Sequence, residues 1–202
     1  LVPPIWQDAF VTTFSVGIIL LSLVVLTGYA GQLSLAQVAL AGFGALVAGQ
    51  LVDRGGWPFL PAMIAGVVAT VPLGALFALP AVRARGINLA IATVVLGTAM
   101  ELMVFQNGDL VGGFAGVKIG RPSLFGWSFD AIRTPNRYAA VSMVFFALMA
   151  MMVSNVRRGR TGRRLLAVRT NERAAAALGI SVPGVKVYAF ALSAGIAAVG
   201  GV

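Results

Sequence analysis

Few residues in this chain could do chemistry, and the missing types narrow the options. There is no cysteine and no histidine among the 202 residues. A thiolate nucleophile, a disulfide framework and the usual zinc ligand sets are therefore excluded, along with the commonest general base. Of the six acids, only Glu101 falls inside an apolar run. A lone carboxylate cannot form a catalytic pair, so the chain does not read as an enzyme, and we expect no metal and no cofactor. An ionisable group within a span marks a pathway by default. Glu101 also lies about one helical turn from the end of its run, within reach of interfacial water. A pathway role and an interfacial one are both open at this point.

The glycines raise a second possibility. Residues Gly28–Gly49 read GYAGQLSLAQVALAGFGALVAG, with five glycines. Neither Gly28-x-x-Gly31 nor Gly42-x-Gly44 completes a G-x-G-x-x-G after a strand, and no G-x-x-x-x-G-K-[ST] occurs, so the chain has no phosphate loop of its own. The alternative is packing. In lipid, helices associate through close contact of small residues. Ala41, Ala45 and Gly49 recur every four residues, with Gly44 and Ala48 in an adjacent row. Each glycine costs about 1 kcal/mol of helix propensity, which close backbone approach offsets.

The elements that position these residues follow from composition. The chain is 59% hydrophobic and 10% charged, against about 25% charged in soluble domains. It reads as an all-α, polytopic transmembrane bundle forming a single domain over residues 1–202. The net charge of +9 fits cytoplasmic loops rather than a nucleic-acid face, so no nucleic-acid partner is expected. With no initiator Met and an apolar run at the C-terminus, we read the chain as truncated at both ends.

About six spans are expected, over Ala9–Leu26, Leu35–Val52, Phe59–Leu79, Ile87–Phe105, Tyr138–Val156 and Val187–Val202. The 18 residues of the first extend ~27 Å, close to the hydrocarbon thickness. Gly28–Gln32 breaks it from the second. Ser34 with Gln37 forms a capping-box pattern at the start of the second span. Pro72 is expected to kink the third. Ala81–Gly86 is expected as a loop holding Arg83 and Arg85, and Gln106–Arg137 as a polar connection.

Eight of the fifteen basic residues lie in 157–186, which the charge rule makes cytoplasmic. Alternation then puts Gly28–Gln32 and the Arg83 loop inside, and Gln106–Arg137 outside. Within the basic segment, Thr170 or Asn171 can cap a short helix, with Glu172 in its first turn where a negative charge suits the dipole. Gly179 is placed to end that helix, and Pro183 to begin the next. A lipid-headgroup contact and a docking helix for a soluble partner both fit this pattern.

ERAAAALGI resembles the coupling loop of ABC importer permeases. GYAGQLSLAQVALAGFGA, RARGINLAIAT and GRTGRRLLAVRTNERAAAALGI, in that order, resemble the branched-chain amino-acid ABC permease family. The resemblance implies a subunit of a bacterial inner-membrane importer that moves branched-chain or related amino acids inward. Its partners would be a second permease chain, two cytoplasmic ABC ATPases and a periplasmic binding protein. Glu172, Ala174, Ala175 and Gly179 would contact the ATPase from a cytoplasmic loop over 157–186. Gly28, Gly31, Gln32, Leu33 and Ser34 would lie near the pathway. Thr98 and Glu101 depart from the family pattern, where an acid and a basic residue are common, and Val111 replaces a threonine in VGGFAG. Urea or a short amide is therefore the alternative cargo. An ATPase-independent secondary transporter or channel is the alternative mechanism.

Overall fold

The computed structural model describes residues 4–84, 86–111, 123–124, 127–128 and 135–202. Arg85, Gly112–Gly116 of VGGFAG, and Lys118, Arg121 and Arg133 of the polar connection lie outside the described residues.

The architecture is a helical bundle. The main helices are α1 (Pro4–Leu23), α2 (Gln37–Asp53), α3 (Phe59–Phe77), α4 (Leu79–Arg83) and α5 (Ile87–Met100), followed by a short α6 (Gly108–Val111). After these come α7 (Pro135–Arg158), α8 (Arg160–Thr170), α9 (Glu172–Ala177) and α10 (Val182–Gly201). Ser123–Leu124 and Trp127–Ser128 form a two-residue antiparallel ladder, with Ser123 opposite Ser128. Among the described residues, five helices are long and apolar enough to cross a membrane: Trp6–Tyr29, Phe59–Arg83, Ile87–Phe105, Asn136–Arg158 and Val182–Gly201. The apolar helix Gln37–Asp53 is shorter.

α10 is the centre of the bundle and packs on α1, α2 and α3. Half of its apolar window is buried within the protein, against 6% for α7. Small residues make this possible. A Cβ on Gly44 of α2 would stand 2.6 Å from the Ala198 Cβ of α10, and one on Gly201 would run into the Ala41 carbonyl. Ala41, Gly44, Ala48 and Gly49 are buried, and Ala45 is half-buried. The packing face is therefore centred on the Gly44 row, with Ala41 and Gly49 at its edge. α2 meets two neighbours, α3 and α10, and so needs a face wider than one four-residue stripe.

Several local expectations are corrected. The first helix does not stop at Leu26, although the break does fall within Gly28–Gln32 as expected. It continues as a π turn over Val24–Tyr29, and the chain turns away at Gly31, whose φ of 65° suits glycine. The capping box does not form either. α2 begins at Gln37 with Ala36 at the cap position and no side-chain bond there. Gln37 is buried, and its Oε1 instead accepts from the hydroxyls of Ser22 (3.0 Å) and Ser193 (3.4 Å) on two other helices. A buried amide favours partners within the bundle over a reach back to backbone. Ala81–Arg83 is helical rather than loop, closing α4. α8 is an additional helix within the basic segment. It buries Gly162, Leu165 and Val168 at three-residue spacing while its arginines stay outside.

Candidate coupling site and transmembrane groove

α9 is built as its residues dictate. Asn171 caps it, its Oδ1 accepting from the backbone N–H groups of Arg173 (3.0 Å) and Ala174 (3.1 Å). Thr170 belongs to the preceding helix, where its hydroxyl donates to the Leu166 carbonyl. Glu172 opens the first turn, where its charge faces the orphan N–H groups. Gly179, at φ 77°, ends the helix in the left-handed conformation that other residues adopt at a cost. Ser181 then caps α10 through the Gly184 N–H, and Pro183 sits in its first turn.

The residues expected to face a partner divide on burial. Ala174 and Gly179 are exposed, as are Ala176 and Ala177, and Leu178 is 80% exposed. Ala175 is buried, at 2%. It therefore packs toward the protein's own bundle, as one face of a short surface helix does. Glu172 also turns inward. Its Oε1 lies 2.9 Å from the Lys186 ammonium. Lys186 belongs to α10, not to the exposed basic segment in which its charge would place it.

One arginine of the basic segment reaches the end of the first helix. Arg169 of α8 donates to the carbonyl of Gly28, in the π turn that closes the first span. Helix-end carbonyls lack intrahelical donors, and an arginine there satisfies one. A Cβ on Gly31 would strike the Arg169 side chain at 2.7 Å. Gly28 and Gly31, expected near the pathway, are thus brought against the basic segment. Gln32 and Ser34 are buried beside them. Gln32 bonds the Ala30 carbonyl, and the Ser34 hydroxyl accepts from the Ala36 N–H at 3.5 Å. Leu33 is half exposed.

Glu101 lies apart from this cluster. α5 gives way to a second π turn, Glu101–Phe105, so Glu101 occupies the first widened position. Such π turns recur at functional sites. The turn directs the Phe105 ring over Gly42 of α2. Between α2 and α5 runs a groove of about 660 Å³, lined by Leu35, Val38, Gly42, Gly97, Thr98 and Glu101 among others. Its wall is apolar except for the Thr98 hydroxyl and the Glu101 carboxylate. At one end Thr93 accepts from the Leu35 N–H at 3.1 Å, tying α5 to the segment that follows the break. At the other, the Gln50 amide donates to the Leu110 carbonyl of α6. The groove therefore joins the Gly28–Ser34 region to Glu101 along one side of α2.

Three contacts escaped sequence reasoning: Lys186 with Glu172, Arg169 with Gly28, and Gln37 with Ser22 and Ser193. All cross between helices: Arg169 and Gly28 are 141 residues apart and Gln37 and Ser193 are 156 apart, whereas Glu172–Lys186 and Ser22–Gln37 join helices that follow closely in the chain. A signal existed for Lys186, four positions into an apolar run, where an unpaired ammonium is untenable. Among the described residues, no group of three metal-ligating side chains occurs.

Comparison with known proteins completes the assignment. A family model described as the permease component of the branched-chain amino acid transport system matches residues 7–202. The Escherichia coli (strain K12) high-affinity branched-chain amino acid transport system permease protein LivM is 30% identical over 168 residues, covering 73% of this chain and 39% of its own. The Salmonella typhimurium LivM is 29% identical over the same extent. The chain thus spans well under half the length of these curated relatives. No solved structure matches it significantly. With a family match over almost its whole length on a polytopic helical bundle, the chain belongs to the branched-chain amino-acid transport permease family.

Proposed function

We propose that the chain is a single permease domain of an ABC importer, carrying branched-chain or related amino acids inward across the bacterial inner membrane. A separate ATPase hydrolyses the ATP, and the permease makes and breaks no covalent bond. The observation that carries this reading is α9: a capped, glycine-terminated helix between two spans that leaves Ala174, Ala176 and Leu178 exposed. Two cytoplasmic ATPases, a second permease chain and a periplasmic binding protein would complete the assembly. The arginine-rich rim of α7 and α8 suits the cytoplasmic membrane surface.

Alternating access supplies the mechanism. ATPase closure shifts α8 and α9, and the bundle passes from outward-open to inward-open. The groove between α2 and α5 is the proposed passage. Its apolar wall suits a branched aliphatic side chain, and Glu101 offers a counter-ion for an ammonium.

The chain lacks cysteine, so a single cysteine at Leu178 gives a clean probe. Ala175, being buried, would not. The full-length permease would be reconstituted with its ATPases and binding protein. We expect a nucleotide-sensitive cross-link from position 178 to the ATPase, with ATP-dependent uptake of leucine, isoleucine or valine. Uptake driven by an ion gradient with no ATPase present would instead establish a secondary transporter. ATP-driven uptake of urea or acetamide, with no competition from leucine, would replace the cargo and keep the mechanism.

A further inference from the structure

Lys186 is the most deeply buried charge among the described residues, at 1% exposure. It lies in the second turn of α10, the central helix. Its ammonium makes two contacts, one to each of two other elements: the Glu172 carboxylate of α9 at 2.9 Å and the Ala81 carbonyl of α4 at 2.8 Å. α4 ends at Arg83, so the Ala81 carbonyl lies in its last turn, where it lacks an intrahelical donor and where a cation suits the dipole. One ammonium thus joins the loop helix, the central span and the cytoplasm-directed end of the third span. Glu172 is the only acid after residue 130, so no other carboxylate on the loop helices or α10 can take its place.

From this geometry we propose that Lys186 is the positioning residue that makes α9, α4 and α10 move as one body, carrying ATPase movement into the bundle. The inference rests on the ABC-importer reading of α9. Its physical basis is that a buried ammonium cannot release a carboxylate without stranding its charge. A pull on α9 is therefore passed to α10 and to the end of α3–α4 rather than absorbed at the flexible joint of Gly179. Glu172 accordingly serves inside the permease, and the ATPase is met by the exposed Ala174, Ala176 and Leu178.

The test uses the full-length assembled transporter with the neutral pair Glu172→Gln, Lys186→Met, which preserves side-chain volume and strands no charge. We expect assembly with the ATPase and basal hydrolysis to stay within about twofold of the unaltered complex. Stimulation by amino-acid-loaded binding protein should fall about tenfold, a loss of about 1.4 kcal/mol in coupling. Unaltered stimulation in the assembled double variant would overturn the proposal. If the unaltered complex itself shows no stimulation, the importer reading fails instead, so the two failures are separable.

A second measurement keeps both charges and so does not depend on the variant's folding. Spin labels at exposed Arg173 of α9 and Val82 of α4 report their separation in resting and ATP-trapped complexes. One body predicts an unchanged separation. A change of a helical turn, ~5 Å, would show that α9 swings free of Lys186.

Discussion

The two ends of α5 are built on opposite plans. Near its start, α4, α9 and α10 are joined through the Lys186 ammonium, and Arg169 fastens α8 to the end of the first helix. Near its end, α5 borders a groove of about 660 Å³ beside α2, in which Glu101 is the only charged side chain among the described lining residues. The first region spends charge on internal partners. The second keeps a charge facing space. The importer proposed above would use both, since a rigid joint transmits displacement and a groove can change width at little cost in packing.

Five substitutions would break or sharpen this contrast. The largest effect belongs to Glu172→Ala, which leaves the Lys186 ammonium buried with only the Ala81 carbonyl. We expect a loss of about 3–5 kcal/mol, read as a lowered unfolding midpoint of the detergent-purified protein. Lys186→Met should cost less, because the Glu172 side chain is already 16% exposed and can turn to water. The reverse order would mean that the joint is not centred on the lysine.

Gly44→Leu drives a side chain into Ala198 and Thr70, and should cost about 1–3 kcal/mol through overpacking. Gel filtration and the midpoint would record it. A leucine accepted without loss would mean that α2 and α10 are not in close contact. On the groove side, Glu101→Gln should lower amino-acid uptake about tenfold, equivalent to about 1.4 kcal/mol, while the midpoint stays put. A lowered midpoint with normal uptake would make Glu101 structural. The smallest effect is expected from Ser22→Ala, which removes one hydroxyl from the Gln37 cluster. Membrane hydrogen bonds of this kind average about 0.6 kcal/mol, so a shift of several kcal/mol would reveal a polar network with a larger role.

The sequence by itself determined the membrane class, the positions of five of the six expected spans, and the α9 helix with its glycine stop, and it narrowed the cap to Thr170 or Asn171. These depend on local composition and on contacts within one turn, which short-range physics settles: Asn171 reaches N–H groups two and three residues on, and Gly179 needs only its own φ. The small residues of α2 were legible as a packing face, though not which neighbours they meet. What only the tertiary structure decided is where the polar side chains point. Gln37 abandons a local capping box for hydroxyls 15 and 156 residues away. Ala175 and Glu172 turn inward from a segment whose charge reads as exposed. Lys186, counted among cytoplasmic charges, becomes the buried joint. For the Gln37 carbonyl oxygen, Glu172 and Lys186, the outcome follows from the cost of leaving a polar group unpaired in a low-dielectric interior. That cost is met by whichever partner the packing of distant helices brings within reach, and no local spacing encodes it.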